Sequence, residues 1–461
     1  MRADLRGDTE PTRPGDPRSP GGLSPGLLFA GCAALCLLPL LLAAAQGEPW
    51  RNAFRELSSG LVMVGYVMTL LQFLLSGRFE WLSGRTGIDR TMRFHQVAAR
   101  LILVLIVLHP LLYAAPRLVP DPGDAVAALQ RMFAAPSLRS GVIAWWLMIL
   151  LVALAVFRDR LPVRYELWRL SHGLMALAIA LLGTHHTLRV GTYAADRWLA
   201  AFWIAATALA VLALLHVYVV KPLLQLGAPY RVVANRKVAD RMWEIAVEPE
   251  RGAAMRFAPG QFVWLNLGHS PFSLTEHPFS LSSAPADRPR LAFTIKESGD
   301  FTRRIGAVAP GTRAYLDGPH GNFTTAGRRL SRIVFIAGGV GLAPIMGMLR
   351  QLAAERYPHP LRLVYGNRVE TQILYRDEIE ALRSTLDFEV SYVLSEPPSG
   401  WAGVVGELTP QVLGRCLAPF GIGDWTYFVC GPPPMMTSVE QALRARDVAR
   451  ERIVSERFKY D

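Results

Sequence analysis

His95 and His109 stand fourteen residues apart in the apolar stretch FHQVAARLILVLIVLHP, and His172 and His186 repeat that spacing in a second apolar run. On a helix turning about 100° per residue, fourteen residues fall about 40° short of four full turns, so each pair shares a face, about 21 Å apart along the axis. His185 lies thirteen residues from His172, about 140° off that face in a straight helix. An imidazole in an apolar span is costly and as a rule functional. Two helices that each present two same-face histidines at matching depths can hold two stacked haem groups, each iron taking one neutral imidazole from either side. Antiparallel or parallel pairing decides the partners. Two parallel odd-numbered spans pair His95 with His172, and His109 with His186 or His185. Ligands about 21 Å apart on one helix cannot share a single metal centre. No CxxCH occurs in the sequence, which excludes covalent c-type attachment.

The elements that must position these residues are six apolar runs near 26–46, 55–76, 94–115, 141–157, 168–188 and 198–220, each about long enough to cross a bilayer. Almost all long apolar runs precede Lys221. The first 25 residues are rich in Pro, Gly and charge and read as a disordered tail. The sequence LLLAAAQGE also resembles a cleavage site after Ala45, which would leave five spans. Arginines crowd the loops between runs two and three (Arg78, Arg85, Arg90, Arg93) and between runs four and five (Arg158, Arg160, Arg164, Arg169). These loops therefore belong in the cytoplasm, with both termini. The net charge of +12 is spread over such loops and forms no basic, aromatic-interleaved run, so nucleic acid is not the partner. Cys32, Cys36, Cys416 and Cys430 have no zinc-ligand spacing and imply no disulfide framework.

Beyond Tyr230 the pattern changes. YRVVANRKV, MWEIAVEP, GQFVWLNL, LAFTIKE and RAYLDGP alternate with Gly/Pro turns and predict a small antiparallel barrel. From Ser331, RIVFIAGGVGLAPIMGMLRQLA, LRLVYGNR, FEVSYVLS and WTYFVCGPPPMM predict a doubly wound parallel α/β domain. In the first of these, Gly338, Gly339 and Gly341 permit a tight turn and close approach of a pyrophosphate to a helix N-terminus. Pro344 stands where the usual dinucleotide fingerprint has its last glycine. In IKESGDFTRRI, Gly299 allows backbone approach to a phosphate, with Lys296, Phe301 and Thr302 beside it. Arg368, ending LVYGNR, suits a 2′-phosphate and favours NADPH, with NADH left open.

The stretch EHPFSLSS resembles the flavin motif of the ferredoxin–NADP reductase superfamily. The resemblance implies that Phe279 lies against the isoalloxazine of FAD, that Ser280 hydrogen-bonds near its reactive nitrogen, and that His277, followed by Pro278, approaches the phosphates. It also places Cys430, Gly431 and Pro432 beside the nicotinamide, with Phe458 (or Tyr460) as the C-terminal aromatic that covers the flavin. Phe279, Ser280, Cys430 and Phe458 are the candidate catalytic residues. With the histidine pattern, the chain resembles the ferric reductase / NADPH oxidase superfamily in its bacterial form. The implied organisation is a six-helix transmembrane haem domain (26–222), an FAD-binding β-barrel (228–326) and an NAD(P)-binding α/β domain (330–461). The implied route runs from NADPH through FAD and two haem b groups, His95, His109, His172 and His186 or His185 ligating, to an acceptor across the inner membrane. That acceptor is ferric iron, another metal chelate or oxygen. Two alternatives remain at this level: a subunit passing electrons to a dedicated extracytoplasmic partner, and a transporter with a regulatory nucleotide domain.

Overall fold

The computed structural model describes residues 22–457 apart from 85 and 119. The expected tail up to residue 21, and Phe458 and Tyr460, lie outside the described residues. Among the described residues, six helices are long and apolar enough to span a bilayer: Pro25–Ala44, Ala53–Leu71, Ile88–Arg117, Pro136–Val156, Tyr165–Val190 and Arg197–Gly227. They match the predicted runs in number. The third starts earlier than the apolar run because the helix continues through Asp89, Arg90 and Arg93. Hydropathy marks where the side chains turn polar, whereas the backbone goes on donating to the preceding turn.

Side-chain oxygens of Ser24, Asn52 and Asp196 cap the first, second and sixth spans by accepting the N–H of Leu27, Arg55 and Leu199. An uncapped helix start in a membrane would leave those donors unsatisfied. Apolar packing ties the second, fifth and sixth spans together through Tyr66, Val67, Leu70, Ala180, Leu199 and Trp203. A second cluster of Ile102, Met148, Leu151, Val152 and Ile179 joins the third, fourth and fifth. Pro110, directly after His109, has no N–H to give the carbonyl of Ile106. The indole N–H of Trp145 on the fourth span donates to that carbonyl at 3.2 Å. The sixth span contains a π turn at His216–Val220, immediately before Lys221. Such turns add a residue to the helix and re-aim the side chains beyond them.

Strands β1 (Tyr230–Ala239), β2 (Met242–Pro249), β3 (Phe262–Leu267), β4 (His277–Ser280), β5 (Leu291–Lys296) and β6 (Arg313–His320) form an antiparallel sheet in the order β4-β3-β6-β1-β2-β5. A bridge between Leu281 and Phe293 curls its two edges together. Strands β7 (Ile333–Gly338), β8 (Leu361–Asn367), β9 (Phe388–Leu394), β10 (Val404–Val405), β11 (Thr426–Cys430) and β12 (Ile453–Ser455) form a parallel sheet ordered β10-β9-β8-β7-β11-β12. The strand order reverses between β7 and β11, the place where such sheets bind ligands. Both predicted architectures are therefore present. Sequence periodicity does not separate β10 and β12, whose two and three residues are too short to carry a period.

Gly183 on the fifth span lies against the Tyr66 ring, where an added Cβ would come within 2.6 Å of it. Tyr66 is held there by donating to the carbonyl of Ala180 and by the Thr184 hydroxyl at 2.7 Å. Gly183→Leu is expected to destabilise the bundle by roughly 1–3 kcal/mol through overpacking. The check is the thermal unfolding midpoint in detergent, and an unchanged midpoint would show that Tyr66 has room to move.

Candidate functional site

Inside the bundle the rings of His95 and His172 face each other, centroids 6.5 Å apart and planes inclined at 44°. Two imidazoles on opposite sides of one iron place their centroids about 6 Å apart, taking a metal–nitrogen bond of about 2 Å. The Nδ1 atoms of His95, His172 and His186 are buried and have no hydrogen-bond partner. The protein itself supplies no partner for these three atoms. His109 differs: its Nδ1 lies 2.8 Å from the Ser58 hydroxyl, which leaves Nε2 free. A partner on the second nitrogen is what fixes the tautomer of an iron-binding imidazole.

His185 and His186 lie in different surroundings. His185 is exposed and its Nδ1 lies 2.9 Å from the Ser140 hydroxyl. His186 is half-buried against Gly141, where a Cβ would overlap its ring. Among the described residues, no three His, Cys, Asp or Glu side chains converge to hold a bare metal ion. The facing His95 and His172 imidazoles, with no third ligand of this kind beside them among the described residues, suit a group that brings its own equatorial donors and not a bare ion.

The flavin motif lies on β4. His277 stacks on Phe301 with centroids 4.3 Å apart, and Phe279 lies 6.3 Å from Phe301 at 25°. These rings form an aromatic platform at the edge of the barrel, with Ser280 paired to Phe262 in β3. The His277 Nε2 and Ser282 Oγ atoms are buried and unpartnered, a donor set that suits a polar, planar ligand. Burial pushes the His277 imidazole below its ordinary pKa against the pull of Glu166 and Glu276. It therefore meets a ligand as a neutral hydrogen-bonding ring. Thr302 is already engaged: its hydroxyl accepts the N–H of Ser298 and of Gly299, each at 2.9 Å. That closes the Gly299 loop, while Lys296 stays exposed at the end of β5.

At the end of β7, Gly339 has φ +53°, and Gly341 packs on the backbone of Cys430 and Gly431. Any side chain at Gly341 would collide with β11, so the glycines join the two central strand ends where the order reverses. Pro344 lies in the first turn of the following helix Leu342–Ala354, where an N–H is not needed. Asn367, ending β8, has both amide atoms buried without partners, and Arg368 beside it is exposed. Pro432 caps the helix Pro433–Arg444 that leaves β11. Cys430 is fully buried, and burial, with Glu456 adding to it, pushes its thiol pKa up. It is a neutral thiol.

Glu456 was not foreseen. It follows β12, whose Ser455 pairs with Val429 next to Cys430. One carboxylate oxygen accepts the Asn322 N–H at 3.3 Å and the other is unpartnered. Gly321 leaves room for it, since a Cβ there would come within 2.7 Å. The only sequence signal is an acid two positions before Phe458 in SERF.

Comparison with known families gives three matches. Residues 61–183 match the ferric reductase like transmembrane component, 233–321 an FAD-binding domain and 335–441 an oxidoreductase NAD-binding domain. The chain is 29% identical over 236 residues to the propane 2-monooxygenase reductase component of Rhodococcus jostii, covering 50% of this chain and 62% of that protein. It is 34% identical over 161 residues to NADH-cytochrome b5 reductase 1 of Laccaria bicolor, covering 34% and 52%. To ferredoxin–NADP reductase B of Sorangium cellulosum it is 32% identical over 237 residues, covering 50% of this chain and 96% of that protein. The chain thus spans between half and two thirds of the length of the first two relatives. A ferredoxin reductase of carbazole 1,9a-dioxygenase aligns with a TM-score of 0.45 at 24% identity, covering 50% of this chain and 69% of that one.

Burial, with Asp89 adding to it, raises the Glu456 carboxyl from 4.5 to about 8. The folded chain then keeps a proton that the unfolded chain releases. This contribution to stability is complete below about pH 4.5 and is lost as the pH climbs to about 8. Glu456→Gln, neutral at every pH, is expected to flatten that slope. Thermal midpoints of parent and variant across the window should diverge with rising pH, and parallel curves would refute the assignment.

Proposed function

We propose, from the premise that the chain belongs to the ferric reductase / NADPH oxidase superfamily, that it carries electrons from cytosolic NADPH through FAD and two haem b groups to an acceptor on the far side of the inner membrane. The single observation that carries this reading is the facing His95–His172 pair in the bundle. His95 and His172 hold the inner group. His109, with Nδ1 engaged by Ser58, and His186, seated on Gly141, hold the outer one. His185, exposed and bonded to Ser140, is left outside the ligand set.

FAD supplies the conversion of a two-electron hydride into single electrons. The residues of this chain orient it. Phe279 presents its ring to the isoalloxazine, Ser280 and the neutral His277 offer hydrogen bonds, and the Gly299 loop receives phosphate. The Gly338–Gly341 turn takes the nicotinamide dinucleotide, with Cys430, Gly431 and Pro432 against its reactive end. Glu456, protonated at neutral pH, places a proton next to that end. Arg368 meets the 2′-phosphate, so NADPH is favoured over NADH. The arginine-rich loops keep these domains in the cytoplasm. The acceptor is chelated ferric iron or oxygen, either of which needs only an exposed outer haem edge.

The purified protein is expected to show a b-type reduced-minus-oxidised spectrum. His95→Ala and His109→Ala should each remove about half of the haem, one site of two. Unchanged haem content in both variants would end this reading. With NADPH present, reoxidation by oxygen or chelated Fe(III) identifies the acceptor. Haem that stays reduced with both would favour a dedicated extracytoplasmic protein partner.

A further inference from the structure

Where the bundle meets the barrel, three cations from three membrane segments converge on two carboxylates. Arg78, in the loop after the second span, pairs with Glu276 and, at 3.1 Å, with Asp317. Arg169, near the start of the fifth span, reaches Glu276 at 2.7 Å. Lys221, following the π turn of the sixth, reaches Asp317 at 2.9 Å and donates to the Arg78 carbonyl at 3.0 Å. All five side chains are less than one fifth exposed. Asp317, Trp264 and Pro278 lie in one row across β6, β3 and β4. The Arg78 guanidinium sits 4.1 Å above the Trp264 ring in that row. His320 stands 3.5 Å from Asp317.

The sequence positions of these groups give the cluster its meaning. Glu276 immediately precedes His277 of the flavin motif, and Arg169 lies three residues, about one turn, before His172. One ion pair therefore joins the strand that carries the flavin motif to the helix that carries an inner imidazole. Burial raises the Glu276 carboxyl, but Arg78 and Arg169 outweigh it and hold it below its ordinary value. Burial raises Asp317 as well, and His320, Lys221 and Arg78 outweigh that too. Buried ion pairs contribute little net stability, because desolvation offsets the attraction, yet they specify geometry.

We propose that Arg78, Arg169 and Lys221 are positioning residues whose clasp on Glu276 and Asp317 sets the distance between the flavin platform and the His95–His172 pair, and so the rate of electron transfer between them. The inference rests on the electron route proposed above. In that route each hydride brings two electrons and one proton. Each ferric iron takes one electron and becomes ferrous, and the proton is released on the cytoplasmic side. The clasp touches neither the nicotinamide site nor the hydride.

The test uses the purified full-length protein loaded with both cofactors. Arg169→Met removes one cation while Arg78 still neutralises Glu276. NADPH is expected to reduce the flavin of this variant at the parental rate, followed by its absorbance. Appearance of the reduced haem band should slow several-fold. Hydrogen–deuterium exchange across residues 274–282 should quicken, and Arg169→Lys should restore both readouts. Lys221→Met is the second variant, read the same way, where Arg169→Met does not fold. Parental haem reduction with parental exchange, or equal slowing of flavin and haem, overturns the clasp. A parent protein with no b-type band overturns instead the electron route beneath it.

Discussion

The ion-pair cluster of Arg78, Arg169 and Lys221 with Glu276 and Asp317 is the constraint on which the arrangement of the chain depends. The membrane bundle and the reductase half could each fold around its own apolar core. Where they meet, Ile88 and Met92 of the third span pack on Phe262 and Trp264 of β3, a small apolar contact beside which the ion pairs lie. Charges withdrawn from water are tolerated only beside well-placed opposite charges, so a cluster in which every member has a partner on the other body admits few alternative dockings. Trp264 extends the constraint, since its ring supports Arg78 from the row that also contains Pro278.

Within the membrane the same logic recurs with neutral groups. Pro110 withholds an N–H and Trp145 supplies one. Tyr66, Thr184 and Thr207 satisfy one another between the two histidine levels. Ser58 occupies the second nitrogen of His109. The Nδ1 atoms of His95, His172 and His186 remain unpaired, as do Gln72 Oε1 and Trp203 Nε1.

Much of this was legible in the sequence, and the limits have physical causes. The six spans, both sheets and the four matched histidines followed from local periodicity, which the chain expresses within a few turns or strands. The choice between His185 and His186 was only weighted by helix geometry, which sets His185 about 140° off the His172 face in a straight helix, and their different contacts with Ser140 and Gly141 of another span lie far off in sequence. The clasp was hidden for the same reason. Arg78 is 239 residues from Asp317, and an arginine in a loop of a membrane protein reads first as an orientation signal. Two such arginines, Arg78 and Arg169, are also buried ion-pair partners. Glu456 was missed because Gly321, which leaves room for it, and Asp89 of the third span, whose charge adds to the rise in its pKa, lie far from it in sequence.

The fifth span, Tyr165–Val190, carries Arg169, His172, Gly183, Thr184 and His186 on one uninterrupted rod. Composition and length are therefore under different rules along it. Its lipid-facing positions, such as Leu167, Leu174 and Leu181, can be exchanged among apolar residues with little consequence. A single inserted or deleted residue between Arg169 and His186 would rotate one end against the other by about 100° and shift it by about 1.5 Å. That would part the docking cation, the two imidazole levels and the Tyr66 contact from one another at once. Descendants of this chain can drift in letters along this helix but are held to its count, and the third span is bound to the same count through His95 and His109.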